Sequence, residues 1–267
     1  MTDMPSPKIV LHAPVDGVAL IELSDPENNN AFEADTLNLL SRLMDEAVAD
    51  SAVRAMVIAG QGKHFSRGAS PNLMGVLRDA SPIDVLGNVY STAQGAMRRV
   101  YNCSKPTIAA VTGAAITIGC ELAVACDFRI IDETASFTEA WIRLGLLPPL
   151  GGMFLLPRLV GTARASEMIL QGRRIKAEEA VKIGLANELV PADRLRDRAM
   201  ELARELAALP PQAYRIAKLS FHRALESTME NEWNANAMAQ AILMSSEDFA
   251  EGVASVREGR TPHYIGR

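Results

Sequence analysis

The 267-residue chain is short of cysteine, of aromatic side chains and of surplus positive charge. Its three cysteines, Cys103, Cys120 and Cys126, form no Cys-x-x-Cys pair, and two of them fall in an apolar stretch; this argues against a disulfide framework and for a reducing, cytoplasmic setting. With 27 Lys and Arg against 32 Asp and Glu, the formal net charge is −5, so no overall basic field exists to hold nucleic acid or an anionic membrane. His64, His222 and His263 lack metal-ligand spacing, so no metal is expected. The opening Met1-Thr2-Asp3-Met4-Pro5-Ser6-Pro7 has neither the basic start nor the apolar run of an export signal. The most apolar stretch, 107–124, is interrupted by Gly113, Gly119 and Glu121, which suits buried strand, loop and helix rather than a membrane span.

What is present is an ordinary globular composition, 48% hydrophobic, in a chain long enough for one large domain or two small ones. Strand-like and helix-like pieces alternate through the first half. Residues 18–23 and 55–59 read as strands, with 33–49 between them at helical spacing. A turn segment over 60–71 leads to a helical stretch at 83–101, then Lys105-Pro106 introduces a strand over 107–111, and another follows at 128–131. The recurrence predicts a spiral of similar turns. Beyond Gly151 amphipathic helices dominate: 163–170, 177–183, 194–209 and 211–225. In 226–245, Met229, Trp233, Met238, Ile242 and Met244 form a stripe that suits packing, in part against another subunit. The composition shifts near residue 200.

Four segments, in order, carry a resemblance. The first is Leu23-Ser24-Asp25-Pro26-Glu27-Asn28-Asn29-Asn30-Ala31, and the second runs over 57–70 and ends His64-Phe65-Ser66-Arg67-Gly68-Ala69-Ser70. The third is Lys105-Pro106-Thr107-Ile108-Ala109-Ala110-Val111-Thr112-Gly113, continued by Gly119-Cys120-Glu121-Leu122-Ala123-Val124-Ala125-Cys126-Asp127-Phe128-Arg129. The fourth spans Leu144-Gly145 through Gly151-Gly152 to Leu156-Pro157-Arg158-Leu159-Val160-Gly161. Together, from about Val18 to the end, they resemble the enoyl-CoA hydratase/isomerase (crotonase) superfamily.

The resemblance implies an α/β fold: a crotonase-like spiral of ββα turns with a helical C-terminal region. It implies a core domain over 1–200 that binds acyl-CoA and a trimerisation region over 201–267, assembled as a homotrimer or a dimer of trimers. The substrate would be an acyl-CoA thioester, with no cofactor beyond the coenzyme A it carries. The common chemistry places negative charge on the thioester oxygen, where two fixed backbone N–H groups stabilise it. Those donors map onto Ala69 and Ile118, and Glu121 becomes the acid-base group, its pKa raised by its apolar setting. Gly68, Arg67, Ser70 and Gly145 fall at the edge of the implied substrate pocket. Arg67 suits a coenzyme A phosphate or a substrate carboxylate, and equally a solvated turn.

The chain also departs from the family pattern. Relatives usually have glycines at Thr117 and Ile118, where the backbone can need φ values costly for a branched side chain. Hydratases use a second glutamate, but Trp141 occupies that position, and Glu139, two residues earlier, would point elsewhere on a regular element. A tryptophan there suits a bulky or cyclic acyl group. A dehalogenase branch shares the Ala-Trp pair, but its aspartate nucleophile maps onto Pro149. Hydration, double-bond isomerisation and carbon-carbon cleavage or hydrolysis of an acyl-CoA stay open, as does an idle acyl-CoA-binding scaffold. Serine hydrolysis fails because Arg67-Gly68-Ala69-Ser70-Pro71 is no Gly-x-Ser-x-Gly elbow. Tyr264 suits surface packing better than a site.

Overall fold

A computed structural model describes residues 8–267. The first seven residues, on which the reading about an export signal falls, lie outside that range. In chain order the elements are β1 (Ile9–Leu11), β2 (Val18–Leu23), α1 (Ala34–Ala49), β3 (Ala55–Gly60), α2 (Pro71–Asp79), the single turn α3 (Pro82–Asp84), a π-helical turn at Val85–Val89, and α4 (Tyr90–Tyr101). Next come β4 (Thr107–Val111), β5 (Ala114–Ile116), α5 (Ile118–Ala125), β6 (Phe128–Asp132), β7 (Ser136–Thr138), a 3-10 turn at Ala140–Leu144, α6 (Gly152–Gln171), β8 (Arg174–Lys176), α7 (Ala177–Lys182) and β9 (Glu188–Val190). Four helices close the chain: α8 (Leu195–Ala207), α9 (Pro211–Ala224), α10 (Met229–Met244) and α11 (Glu247–Glu258).

The strands form two sheets. One has the order β1-β2-β3-β4-β6-β9, parallel throughout except for β1, and the other has the order β5-β7-β8. After β4, and again after β6, the chain turns a corner and adds a short strand to the second sheet, so successive turns stack as a spiral. Gly113 forms one corner at φ +57, where a Cβ would lie 1.9 Å from the Lys63 carbonyl. Both faces of the larger sheet are covered, which is why its strands are continuously apolar. Ala19, Ile21 and Leu23 face the main core with Leu37, Leu40 and Met44 of α1. Val18, Leu20, Val57, Ile108 and Ile130 face Leu195, Ala199, Ala203 and Ala207 of α8.

The same packing reaches past residue 200, near which the composition shifts. The helix α8 continues through it to Ala207, and its apolar stripe is bound to the sheet, so a cut at 200 would break one helix in two. The helix expected at 163–170 is also longer, because α6 begins at Gly152 and is merely kinked at Gly161. In α10, Met229, Trp233, Met238, Ile242 and Met244 are all exposed in the single chain, Trp233 at 65%. Among the described residues no helix is long and apolar enough to cross a membrane.

Candidate active site

Two turns meet at the start of α5. Ser66 pairs with Ala115 as a parallel bridge, through Ser66 N–H to Ala114 O (3.0 Å) and Ile116 N–H to Ser66 O (3.0 Å). Just beyond, Gly68 lies against Ile116 and Thr117, so the turn that carries Ala69 approaches the start of α5. The Gly68 carbonyl accepts from Phe32 N–H at 2.7 Å, and in a trans peptide the next N–H points the opposite way, so Ala69 N–H faces away from Phe32. Ile118 is the first residue of α5, where an amide has no partner within its own helix. Neither amide donates to an acceptor among the described residues.

Gly68 makes the approach possible. At φ +88, a Cβ there would lie 1.9 Å from Thr117 Oγ1 and 2.6 Å from Ile116 O. The positive φ anticipated on the other side falls on Thr117, at φ 48 and ψ −111, while Ile118 is already helical. A threonine in that region stores strain of about 1–3 kcal/mol. Its amide donates to Thr138 O at 2.9 Å, which ties the strained residue to β7. At the far end of α5, the buried Arg129 guanidinium donates to the carbonyls of Ala123, Val124 and Cys126, so both ends of the helix are anchored.

All eight residues of α5 are buried, and Glu121 sits in its first turn at 1% exposure. Its Oε2 accepts from Leu150 N–H and Gly152 N–H, each at 2.8 Å, and its Oε1 accepts from the Trp141 indole N–H at 3.1 Å. Burial pushes its pKa up to about 7, against the opposing pull of those three donors. Gly152 fits closely here, since a Cβ would lie 3.0 Å from Pro148 Cβ and 3.1 Å from Glu121 Oε2, so a larger residue would press on the carboxylate.

Trp141 is therefore more than a wall. The sequence suggests a side chain suited to a bulky or cyclic acyl group, and the indole N–H in addition donates to Glu121. Glu139, expected to point away from the position of the second glutamate, is not part of the lining of the apolar pocket beside α5. It occupies an irregular bend (φ −91, ψ 78) between β7 and the 3-10 turn, is wholly buried, and neither of its carboxyl oxygens has a hydrogen-bond partner. Burial first, and then the charge of Glu121, push its pKa well above the usual carboxylate range, and the Cys120 thiol lies beside it.

Against α5 lies a narrow pocket lined by Leu37, Leu73, Leu77, Tyr90, Thr92, Ile118, Trp141 and Leu150, with Ala34, Ala93 and Pro149 completing it. Its walls are almost wholly apolar. Glu121 lies directly behind them, because Trp141 and Leu150, two of the three residues bonded to it, belong to the lining. Tyr90 carried no signal in the sequence beyond its place in a helical stretch. A larger cavity of about 530 Å³, between α6 and α9, contains none of the candidate residues.

The remaining candidates lie around this centre. Arg67 is exposed next to Lys63 and His64; burial, then Arg67, Lys63 and Arg174 lower the His64 pKa, which marks a local cluster of positive charge. Ser70 is the N-cap of α2, its hydroxyl accepting from Leu73 N–H at 3.0 Å. Gly145 ends the 3-10 turn on the surface at φ 72 and does not line the pocket. Tyr264 packs against Gly252 on α11, away from α5. Among the described residues no three His, Cys, Asp or Glu side chains cluster as metal ligands do.

Residues 14–267 match the family model described as enoyl-CoA hydratase/isomerase. A probable enoyl-CoA hydratase of Rhizobium meliloti (strain 1021) is 37% identical over 238 residues, covering 89% of this chain and 90% of that protein. The 1,2-epoxyphenylacetyl-CoA isomerase of Escherichia coli (strain K12) is 31% identical over 251 residues, covering 94% and 96%. The crystal structure of a putative enoyl-CoA hydratase from Streptomyces coelicolor A3(2) superposes with a TM-score of 0.92 at 33% identity, covering 100% of this chain and 98% of that one.

Proposed function

The chain belongs to the enoyl-CoA hydratase/isomerase family, the crotonase superfamily, and from that premise we propose that it moves a proton on an acyl-CoA thioester through an enolate, with Glu121 as the only carboxylate at the reacting carbon. The observation that carries this reading is that two amides with no acceptor among the described residues, Ala69 and Ile118, each follow one side of the close contact between Gly68 and Thr117, at the head of the helix that bears Glu121. Both would donate to the thioester oxygen. Glu121, ionised, takes the proton from the α-carbon; the C–H electron pair moves into the enolate, and the charge settles on that oxygen. Returning the proton to another carbon completes an isomerisation with no co-reactant. Each oxyanion donor in such a site is worth about 3 kcal/mol.

Trp141 favours this single-carboxylate chemistry over two-glutamate hydration, since an indole exchanges no protons and its N–H is spent on Glu121. The apolar pocket suits a bulky or cyclic acyl group. Admitting one requires the lining to part, and the Trp141 to Glu121 hydrogen bond is the contact that opening exchanges. Arg67, Lys63 and Arg174 supply positive charge for coenzyme A phosphates, Gly68 lets the thioester-binding turn close, Ser70 caps the helix α2 that supplies Leu73 and Leu77 to the pocket, and Gly145 ends the turn that carries Trp141. The exposed apolar side chains of α10 and α11 are the surface on which a trimer, or a dimer of trimers, would form. Coenzyme A enters as part of the substrate, and the reducing cytoplasm suits three free, buried cysteines.

The test is to incubate the protein in D₂O with saturated, unsaturated, aromatic and alicyclic acyl-CoA thioesters and follow mass. Deuterium at the α-carbon with an unchanged skeleton supports the enolate reading. A gain of water would favour hydration, loss of a fragment a cleaving lyase or hydrolase, and tight binding without exchange an idle scaffold.

A further inference from the structure

Isomerisation moves a proton between two carbons, and Glu121 stands behind one wall of the pocket, bonded to Trp141 and Leu150 of its lining. The other polar side chains on the pocket wall, besides the committed Trp141 indole, are the Tyr90 phenol and the Thr92 hydroxyl. Tyr90 is half-buried and is the first residue of α4, directly after the π-helical turn Val85–Val89, with its N–H bonded to Val85 O. The wider π turn departs from the α-helical spacing just before Tyr90 and so sets the direction in which the ring leaves the helix. The hydroxyl has no hydrogen-bond partner among the described residues.

We propose that Tyr90 is the second proton-handling side chain of this site, its phenol delivering a proton to the acyl carbon remote from Glu121; this rests on the enolate reading above. In a 3-enoyl thioester, whose double bond is β,γ to the carbonyl, Glu121 takes the α-proton and the negative charge spreads over the conjugated enolate. The Tyr90 O–H bond breaks as a C–H bond forms at the γ-carbon, the enolate electron pair supplying the new bond. The phenolate then takes the proton held by Glu121, which restores both groups, so atoms and charge balance with no added reactant. Burial, then the charge of Glu121, raise the phenol pKa, so it remains a donor at neutral pH and a strong acceptor once deprotonated.

The experiment compares the wild-type chain with Tyr90→Phe on hex-3-enoyl-CoA and hex-2-enoyl-CoA in D₂O. It reads α-deuterium incorporation on hex-3-enoyl-CoA, whose α-carbon carries the acidic protons, separately from the interconversion of the two isomers. The expected result is α-exchange within about threefold of wild type, isomer interconversion down about a hundredfold or more, and KM within about threefold. Interconversion within threefold of wild type overturns the proposal. So does an equal loss of exchange and interconversion, which would make Tyr90 a shaping residue. If Tyr90→Phe fails to fold, Tyr90→Leu is judged by the same split. A wild-type chain that exchanges no α-proton on any thioester sinks the Glu121 reading and this proposal with it, whereas exchange and interconversion unaltered in Tyr90→Phe sink this proposal alone.

Discussion

Glu121 and Glu139 lie on two sides of the same short helix, and both are nearly sealed from solvent. One is surrounded by three N–H donors, and the other has none. Burial raises both carboxyls, but the donors on Glu121 favour its charged form and hold it near neutrality, whereas Glu139 meets only the Cys120 thiol and the charge of its neighbour. Donors, more than depth, decide which buried carboxyl can serve as a base. The surrounding elements make the distinction: Trp141, Leu150 and Gly152 supply the donors to Glu121, while the bend before the 3-10 turn leaves Glu139 beside Cys120.

The largest test of that contrast is catalytic. Glu121→Gln should lower α-proton exchange by about a hundredfold to ten-thousandfold, while Glu139→Gln stays within about threefold. Equal losses would mean that the two sides of α5 act as one unit. The second test is stability against pH. Glu121 has a folded pKa near 7 against an ordinary 4.5, so between those values the folded chain holds a proton that the unfolded chain has released. Its stabilising contribution is complete below 4.5 and is lost as pH rises to about 7, on the order of 3 kcal/mol. Glu139 adds a loss of the same sign as pH rises. Urea midpoints at pH 5 and pH 8 should show the fall, and Glu121→Gln should flatten it; a steeper fall in that variant would reverse the sign argument.

Trp141→Phe sharpens the comparison by making Glu121 more like Glu139. Losing one donor should move the acid limb of the kcat/KM profile to higher pH by about one unit. An unmoved limb would show that the two backbone donors set the pKa alone. The smallest effect belongs to the turn before the helix. Thr117→Gly should raise stability by up to about 1 kcal/mol, because relief of the positive φ exceeds the entropy cost of glycine. A lower melting temperature would mean that the threonine side chain holds the turn against Gly68.

Much of this was legible in the chain. The strand over 107–111 appears with the same limits as β4, and 211–225 differs from α9 by one residue, because continuous apolar runs and helical spacing survive in any register. The turn glycines were legible too, and Gly68 proved indispensable beside Thr117. The strands β5 and β7 left no sequence trace, being three residues each, too short for a period. The burial of Glu139 was not legible in the sequence, because alternation applies to regular elements and the bend at φ −91, ψ 78 is not one. Tyr90 became visible only as part of a pocket whose walls come from α1, α2, α4, α5 and the loop before α6.

By itself the sequence determined the order of elements, the apolar strands, the glycine-dependent turns and the presence of a carboxylate at the head of an apolar helix, since each is a property of neighbouring residues. Tertiary structure alone decided what that carboxylate is. Its donors come from residues 20 to 31 positions away, at Trp141, Leu150 and Gly152, and only the stacking of successive spiral turns brings them within hydrogen-bonding reach.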